Sequence, residues 1–144
     1  VFAGYWRMPE KTAEEFRDDG FFITGDLGKM DEDGRVSIVG RAKDLVISGG
    51  YNIYPKAVER LIDEMPEVLE SAVIGVPHRD FGEGVVAVVV PVGEPVEEPA
   101  VRAVLDGRLA RFKHPKVVVN VPDLPRNAMG KVMKPAVREL LEGE

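Results

Sequence analysis

The chain contains no cysteine among its 144 residues, so disulfide bonds, thiolate catalysis and cysteine-based zinc sites are excluded. Histidine is also scarce: His78 and His114 are the two present, and neither lies in a sequence with the spacing of a metal-binding motif. We therefore expect no protein-bound metal.

The sequence also lacks an apolar run long enough to cross a membrane, and no signal-peptide pattern opens it. Its net charge of −6 disfavours non-specific binding to nucleic acid. A hydrophobic content of 44% with 31% charged residues is typical of a globular protein. We expect a cytoplasmic protein with neither a membrane span nor a nucleic-acid partner.

The first quarter of the chain predicts a short helix followed by a β-hairpin. Thr12 and Glu15 form a capping-box pattern, so a helix is expected to begin at Thr12 and to run to about Arg17. The turn sequence Asp-Glu-Asp-Gly at residues 31–34 lies between alternating apolar residues, which predicts the hairpin.

The rest of the chain predicts a short central sheet flanked by helices. Apolar runs at residues 68–76 and 85–92 indicate adjacent strands covered on both faces, with a loop over residues 77–84. Proline favours the first helical turn, which predicts helices that begin at Pro55, Pro99 and Pro135. The helix that begins at Pro99 is expected to reach Phe112 and to contain Gly107. The predicted fold class is α+β, a small domain preceded by the hairpin.

Residues 38–59, IVGRAKDLVISGGYNIYPKAVE, are the most informative stretch. They predict a strand that ends in Gly40, a second at residues 44–48 and a third at residues 51–54. The Gly49-Gly50 pair separates the last two strands. Paired glycines permit positive φ angles or the close approach of a narrow ligand. Taken alone, the pair is explained more simply by a tight turn.

Three further stretches contain polar residues that could bind a ligand. FFITGDLG, at residues 21–28, contains Asp26, whose carboxylate can accept bonds from both hydroxyls of a diol or can close a turn. FKHPK, at residues 112–116, combines an aromatic ring with cations, which suits a stacked nucleotide but also a helix C-terminus. PRNAMGKV, at residues 125–132, puts a glycine before Lys131 in a loop.

These motifs, in their order along the chain, resemble those of the adenylate-forming superfamily of acyl-CoA synthetases, peptide-synthetase adenylation domains and firefly luciferase. The sequences of the motifs most resemble those of bacterial malonyl-CoA synthetases. The resemblance implies that residues 1–40 end a large N-terminal nucleotide-binding domain and that residues 41–144 form a mobile C-terminal domain. The phosphate loop and acid pocket would lie upstream, so the chain alone is expected to be inactive.

The resemblance also assigns roles to single residues. Asp26 would bind the ribose of ATP or AMP, Arg41 would contact its ribose and phosphates, and Lys43 would be the hinge. Lys131 would be the catalytic lysine, which also holds the nucleotide's α-phosphate during adenylation. CoA would be bound by Gly49, Gly50, Phe112, His114 and Lys116. Without the resemblance, Arg41 and Lys43 would be interpreted as surface cations and Phe112 as a core residue.

The implied reaction is that of an ATP-dependent acid–CoA ligase, which converts a carboxylate, ATP and CoA to acyl-CoA, AMP and diphosphate through acyl-AMP. Mg²⁺ would arrive with ATP. The acid would be malonate or methylmalonate; the alternatives are a medium-chain, long-chain or aromatic acid, or an adenylation domain that loads a carrier-protein thiol. The implied partners are these substrates, the missing N-terminal domain and a lysine acetyltransferase that acts on Lys131.

Three other classes of protein compete with this interpretation. A peptide-synthetase adenylation domain would usually carry a Gln-Val-Lys-like strand after the hinge, where this chain has Leu45-Val46-Ile47. A luciferase-like oxygenase would not need the FKHPK segment. A non-enzymatic binding domain of similar fold would bind nucleotides without chemistry, and calorimetry with ATP and CoA bears on that alternative.

Overall fold

The computed structural model describes residues 1–142, without the side chain of Glu142, and divides the chain into two compact units. The first unit is Val1–Lys43, and the second begins at Asp44. A 3₁₀ helix, Ala42–Asp44, contains this boundary. The assignment of residues 1–40 and 41–144 to two domains of a larger enzyme stays a prediction. No helix within residues 1–142 is long and apolar enough to cross a membrane.

The first unit consists of a short helix and a β-hairpin. Helix α1 (Pro9–Glu15) is followed by strand β1 (Asp26–Met30) and strand β2 (Val36–Arg41), which pair antiparallel. Gly34 closes the hairpin turn with a φ of +79°, a value that favours glycine. The predicted hairpin is present.

The predicted start of the first helix was wrong. Helix α1 begins three residues earlier, at Pro9, whose fixed φ and missing N–H suit the first helical position. Thr12 therefore lies inside the helix and caps nothing. Its hydroxyl instead donates a hydrogen bond to the Met8 carbonyl and accepts one from the Tyr5 N–H, both at 2.9 Å.

Five strands and three α-helices follow within residues 44–142. In chain order they are β3 (Val46–Ser48), β4 (Tyr51–Ile53), α2 (Pro55–Ile62), β5 (Val68–His78), β6 (Gly82–Pro91), α3 (Glu98–Leu105), β7 (Val117–Asn120) and α4 (Lys134–Glu142). The strands form one sheet in the order β4-β3-β6-β5, and β7 pairs parallel with β6. The predicted α+β class is confirmed.

Two predicted boundaries in the second unit were wrong. The expected loop at residues 77–84 is mostly strand, because β5 and β6 stay paired as far as His78 and Gly82. The connecting loop is therefore only residues 79–81. The helix expected to reach Phe112 ends at Leu105, and Gly107 follows it with a φ of +75°, outside the helical region. Phe112 lies in a separate 3₁₀ turn, Arg111–Lys113.

The sheet of the second unit is covered on both faces, as the continuous apolar runs predicted. On one face, helices α2 and α3 pack on alternate strand residues such as Val73, Val85 and Val89. On the other face, Val137 of α4 and the Leu124 side chain pack against the intervening residues. Buried positions therefore follow one another along β6 without a polar interruption.

A buried ion pair lies at the outer edge of strand β5. The Glu59 carboxylate, on α2, accepts hydrogen bonds from the Val73 N–H at 2.9 Å and from Lys134 Nζ at 2.6 Å. Lys134 also donates to the Val73 carbonyl at 3.0 Å. Gly75 lies two residues after Val73 on the same strand, and its carbonyl accepts a hydrogen bond of 2.8 Å from Arg138 Nε. Side chains therefore form hydrogen bonds with backbone groups of β5 that have no partner in a neighbouring strand.

The core assignment predicts a contrast between two leucines. Leu105 is fully buried against α2 and the sheet, so Leu105→Ala should lower the free energy of unfolding by about 2–5 kcal/mol. Leu69 is 68% exposed, and Leu69→Ala should change it by less than about 0.5 kcal/mol. Urea unfolding of the two variants measures both values, and equal losses would contradict the assignment.

Candidate functional site

Asp26 and Arg41 are brought together by the hairpin of the first unit. They are partners in the register of β1 and β2, and Arg41 Nε lies 2.7 Å from the Asp26 Oδ1. The Thr24 hydroxyl accepts the Asp26 N–H at 3.1 Å, which fixes the backbone beside the carboxylate. The Asp26 and Arg41 side chains remain 25% and 52% exposed. One carboxylate and one guanidinium therefore face solvent as a pair.

The pair lines a groove of about 730 Å³ within the first unit. Lys11 and Lys43 add two more cations to its walls. The Tyr5 hydroxyl also lines it and donates a hydrogen bond to the Glu15 carboxylate, which raises the pKa of Tyr5. The groove thus offers acceptors for hydroxyl groups beside cations for phosphates, which suits a nucleotide.

Lys43 lies in the 3₁₀ helix that connects the two units along the chain. Its side chain is exposed. The predicted hinge role of Lys43 is consistent with this connecting position and stays a prediction.

Gly49 and Gly50 form the two-residue turn between β3 and β4. Their φ angles are +56° and +81°, and a turn with two positive φ values in succession favours glycine at both positions. The Gly49 N–H donates a hydrogen bond of 2.9 Å to the Phe81 carbonyl. A Cβ atom added at Gly49 would lie 3.6 Å from the Phe81 ring, so the turn and that ring are in close proximity.

Aromatic rings and cations surround this glycine turn. Tyr51, the next residue, stacks on Phe112 with ring centroids 4.5 Å apart. Lys116 Nζ lies 5.2 Å from the centroid of Phe81, and Lys113 Nζ lies 5.7 Å from that of Phe112. We call Tyr51, Phe81, Phe112, Lys113 and Lys116 the aromatic–basic surface. Four of the predicted CoA residues, Gly49, Gly50, Phe112 and Lys116, therefore lie on one continuous surface.

The sequence-based list of CoA residues missed three members of this surface, Tyr51, Phe81 and Lys113, the last of which lies within the FKHPK stretch. Tyr51 directly follows the glycine pair and is 57% exposed, so its adjacency was a usable signal. Phe81 is distant in sequence and reaches the turn because Ser48 pairs with Gly82 in the sheet. That contact depends on the strand order, which local sequence patterns do not contain.

His114 is placed differently from the other predicted CoA residues. It is 7% exposed, its Nε2 lies 3.1 Å from the Leu109 carbonyl oxygen, and its Nδ1 lies 3.9 Å from an Asp106 carboxylate oxygen. Burial and these polar neighbours favour a structural role, so its phosphate contact stays a prediction. The ring borders a cavity of about 250 Å³ whose other walls are Arg102, Asp106, Arg111, Pro115 and Lys116.

Lys131 lies in an ordered loop between β7 and α4. The Asn127 N–H donates to the Lys131 carbonyl at 2.9 Å, and Asn127 Oδ1 accepts the Lys131 N–H at 3.0 Å. Gly130 has a φ of +75°, which lets the chain turn immediately before the lysine. The backbone of Lys131 is thus fixed while its side chain is exposed. Among residues 1–142, no cluster of three or more His, Cys, Asp or Glu side chains could hold a metal.

Comparison with known proteins identifies the family. The profile of the AMP-binding enzyme C-terminal domain matches residues 57–131, which is more than half of the chain. The chain belongs to this family. The resemblance of its motifs to adenylate-forming acyl-CoA synthetases is thereby confirmed.

Several known proteins are similar to this chain. Indoleacetate–CoA ligase of Aromatoleum aromaticum is 45% identical over 98% of the chain and 28% of the ligase. The ATP-bound MatB of Rhodopseudomonas palustris is 67% identical with a TM-score of 0.85, over 97% of this chain and 28% of MatB. The amide bond synthetase McbA of Marinactinospora thermotolerans is 38% identical with a TM-score of 0.85, over 96% and 28%. The chain thus spans under a third of these relatives.

The geometry of the hairpin generates a prediction for Asp26. If Asp26 binds the ribose of ATP, as the resemblance implies, Asp26→Asn in the full-length protein should raise the KM for ATP by about ten- to hundred-fold, because charged hydrogen bonds to the ribose are weakened. Asp33→Asn, which removes an equal charge from the hairpin turn, should leave that KM unchanged. Initial-rate kinetics at varied ATP measure both, and an unaltered KM in the Asp26 variant would contradict a ribose contact.

Proposed function

We propose that this chain is the C-terminal part of an ATP-dependent, AMP-forming acid–CoA ligase. The observation that carries the proposal is the convergence of the Gly49-Gly50 turn with the aromatic–basic surface. CoA combines an adenine ring, several phosphates and a narrow pantetheine arm. Aromatic rings can stack on the adenine, and lysines can bind the phosphates. A turn without Cβ atoms leaves room for the pantetheine arm.

In the proposed first step, a carboxylate oxygen of the acid attacks the α-phosphorus of ATP. The bond from that phosphorus to the bridging oxygen breaks, and diphosphate leaves with its Mg²⁺. Asp26 binds the ribose hydroxyls, and Arg41 contacts the ribose and phosphates of the nucleotide. The Lys131 ammonium lies between the carboxylate and the α-phosphate and offsets the negative charge that gathers there.

In the proposed second step, the CoA sulfur attacks the acyl carbonyl of acyl-AMP. The carbon–oxygen bond to AMP breaks, AMP leaves, and the thiol proton passes to solvent. Rotation about Lys43 would exchange Lys131 for the Gly49-Gly50 turn between the two steps. The exposed position of Lys43 in the connecting 3₁₀ helix supports this role.

The proposed acid is a small dicarboxylate, malonate or methylmalonate. Support comes from the 67% identity to MatB, a malonyl-CoA synthetase. An aromatic or fatty acid is the alternative, supported by the 45% identity to an indoleacetate–CoA ligase and the 44% identity to a long-chain-fatty-acid–CoA ligase. The N-terminal domain would supply the acid pocket. We propose that the enzyme acts in the cytoplasm, where ATP and CoA are available.

A second candidate reaction transfers the acyl group to a different acceptor. The similarity to an amide bond synthetase favours an amine in this role, and a carrier-protein thiol is the other possibility. Incubating the full-length enzyme with acid, ATP and each acceptor in turn separates the reactions by their products. A thioester of CoA as the main product supports the first proposal, and an amide or a loaded carrier protein the second.

The role of Lys131 leads to a prediction about the two half-reactions. Lys131→Ala should slow acyl-AMP formation by about a hundred- to thousand-fold, because a preorganised positive charge is lost from the transition state. Conversion of supplied acyl-AMP and CoA to thioester should remain nearly normal. Acetylation of Lys131 by a lysine acetyltransferase should act in the same way, since it removes the charge.

ATP–diphosphate exchange measures the first half-reaction, and thioester formation from synthetic acyl-AMP measures the second. Lys29→Ala provides the matched control, because it removes an exposed lysine from β1 of the hairpin. Equal losses in both half-reactions of the Lys131 variant would exclude a role confined to adenylation.

The aromatic–basic surface leads to a separate prediction for CoA. Lys116→Glu and Phe81→Ala should each raise the KM for CoA by about ten-fold or more, because a phosphate contact or a stacking surface is lost. ATP–diphosphate exchange should barely change. If exchange fell as much as thioester formation, the CoA assignment would be wrong.

His114→Asn tests the buried histidine in the same assays. A structural role predicts a lower melting temperature with an unchanged KM for CoA. A raised KM for CoA without loss of stability would instead support the predicted phosphate contact.

A further inference from the structure

The peptide group that joins Gly130 to Lys131 is bound on both of its polar atoms by side chains of its own loop. Arg126 Nη1 donates a hydrogen bond of 2.8 Å to the Gly130 carbonyl oxygen. Asn127 Oδ1 accepts the Lys131 N–H at 3.0 Å. The plane of this peptide sets the direction in which the Lys131 side chain leaves the backbone.

Arg126 is in turn attached to the sheet. Its Nη2 forms a hydrogen-bonded ion pair with the Glu70 carboxylate on β5. The guanidinium is always charged, and this hydrogen bond raises the pKa of Arg126 further. The donors of a guanidinium are coplanar and fixed relative to one another. Once Glu70 binds Nη2, the direction of the bond from Nη1 to Gly130 is therefore restricted as well.

The ion pair is not required to close the loop. The Asn127 N–H already binds the Lys131 carbonyl, and the Gly130 N–H binds the Asn127 carbonyl, both at 2.9 Å. The Arg126 and Glu70 side chains are 38% and 25% exposed, and ion pairs this accessible add little to the free energy of unfolding. What the pair adds is a fixed orientation of the loop relative to strand β5.

We infer that Arg126 and Glu70 are positioning residues for Lys131 in the adenylation step. Arg126 acts on the Gly130–Lys131 peptide, and Glu70 acts through the guanidinium of Arg126. This inference rests on the proposed role of Lys131. Misplacing a reacting charge by a fraction of its contact distance lowers the rate of the step that uses it and leaves other steps intact.

Glu70→Gln in the full-length enzyme tests the inference with little change in shape. The rate of ATP–diphosphate exchange should fall by about ten-fold or more, while thioester formation from supplied acyl-AMP stays within about two-fold. Amide hydrogen exchange in the peptide that covers residues 127–131 should become faster. The melting temperature should barely change.

Glu64→Gln is the matched control. Glu64 pairs with Arg108 at 2.7 Å, and its side chain is also partly exposed, so the same chemical change is made away from the Lys131 loop. Both half-reactions and the exchange of residues 127–131 should stay at their original values in this variant. Equal effects of Glu64→Gln and Glu70→Gln would overturn the inference, because any lost ion pair would then suffice.

Two further outcomes separate this inference from the function on which it rests. If Lys131→Ala lowers adenylation but Glu70→Gln changes neither adenylation nor amide exchange, the positioning role is wrong and the proposed function stands. If Lys131→Ala leaves adenylation intact, the proposed role of Lys131 and the catalytic part of the inference fail together. Amide exchange in Glu70→Gln then still decides whether the pair holds the loop.

Discussion

A buried ion pair between Glu59 and Lys134 connects the two helical layers of the second unit at the edge of its sheet. It joins a helix from one face of the sheet to a helix from the other, and both side chains also bind Val73 of the strand between them. Removing one member of such a pair leaves an uncompensated charge in the interior, which costs about 3–5 kcal/mol. The two hydrophobic layers on either side of the sheet are therefore joined by one charged contact.

This contact also connects stability to the candidate site. Lys134 opens helix α4 and lies three residues after Lys131. The segment that carries Lys131 is thus fixed at its C-terminal end by Lys134 and at its N-terminal end by Arg126. An exposed side chain on a backbone held at both ends suits the proposed role of Lys131, because rotation about Lys43 would then carry the whole segment as one piece.

Several features of the fold could be predicted from local sequence. The hairpin around Gly34, the buried strands and the helix that opens at Pro55 follow from turn residues, continuous apolar runs and proline preferences. Failures occurred where two local signals competed. Pro9 overrode the Thr12 capping pattern, and the backbone leaves the helical conformation at Asp106, before Gly107, although the apolar spacing continues.

Some residues of the candidate site could also be predicted from the sequence, and others could not. Asp26, Arg41 and Lys131 were chosen through the resemblance of their motifs, and their roles stay predictions; their placement in a hairpin and a loop depends on local geometry. Phe81 could not be predicted, since it meets the glycine turn only through pairing between distant strands. The burial of His114 was also missed, although its polar neighbours, the Leu109 carbonyl and the Asp106 carboxylate, are close to it in sequence.

The capped edge of strand β5 has a consequence for how the chain behaves when it is shortened. An open strand edge is a template for pairing with other chains, and natural proteins cover such edges to avoid aggregation. Here the cover over Val73 and Gly75 comes from Lys134 and Arg138, which lie near the end of the sequence. A chain cut before Lys134 keeps every strand of the sheet but loses these covering side chains. The last helix therefore covers part of a strand edge, and C-terminal truncation would expose backbone carbonyls with which another chain can pair.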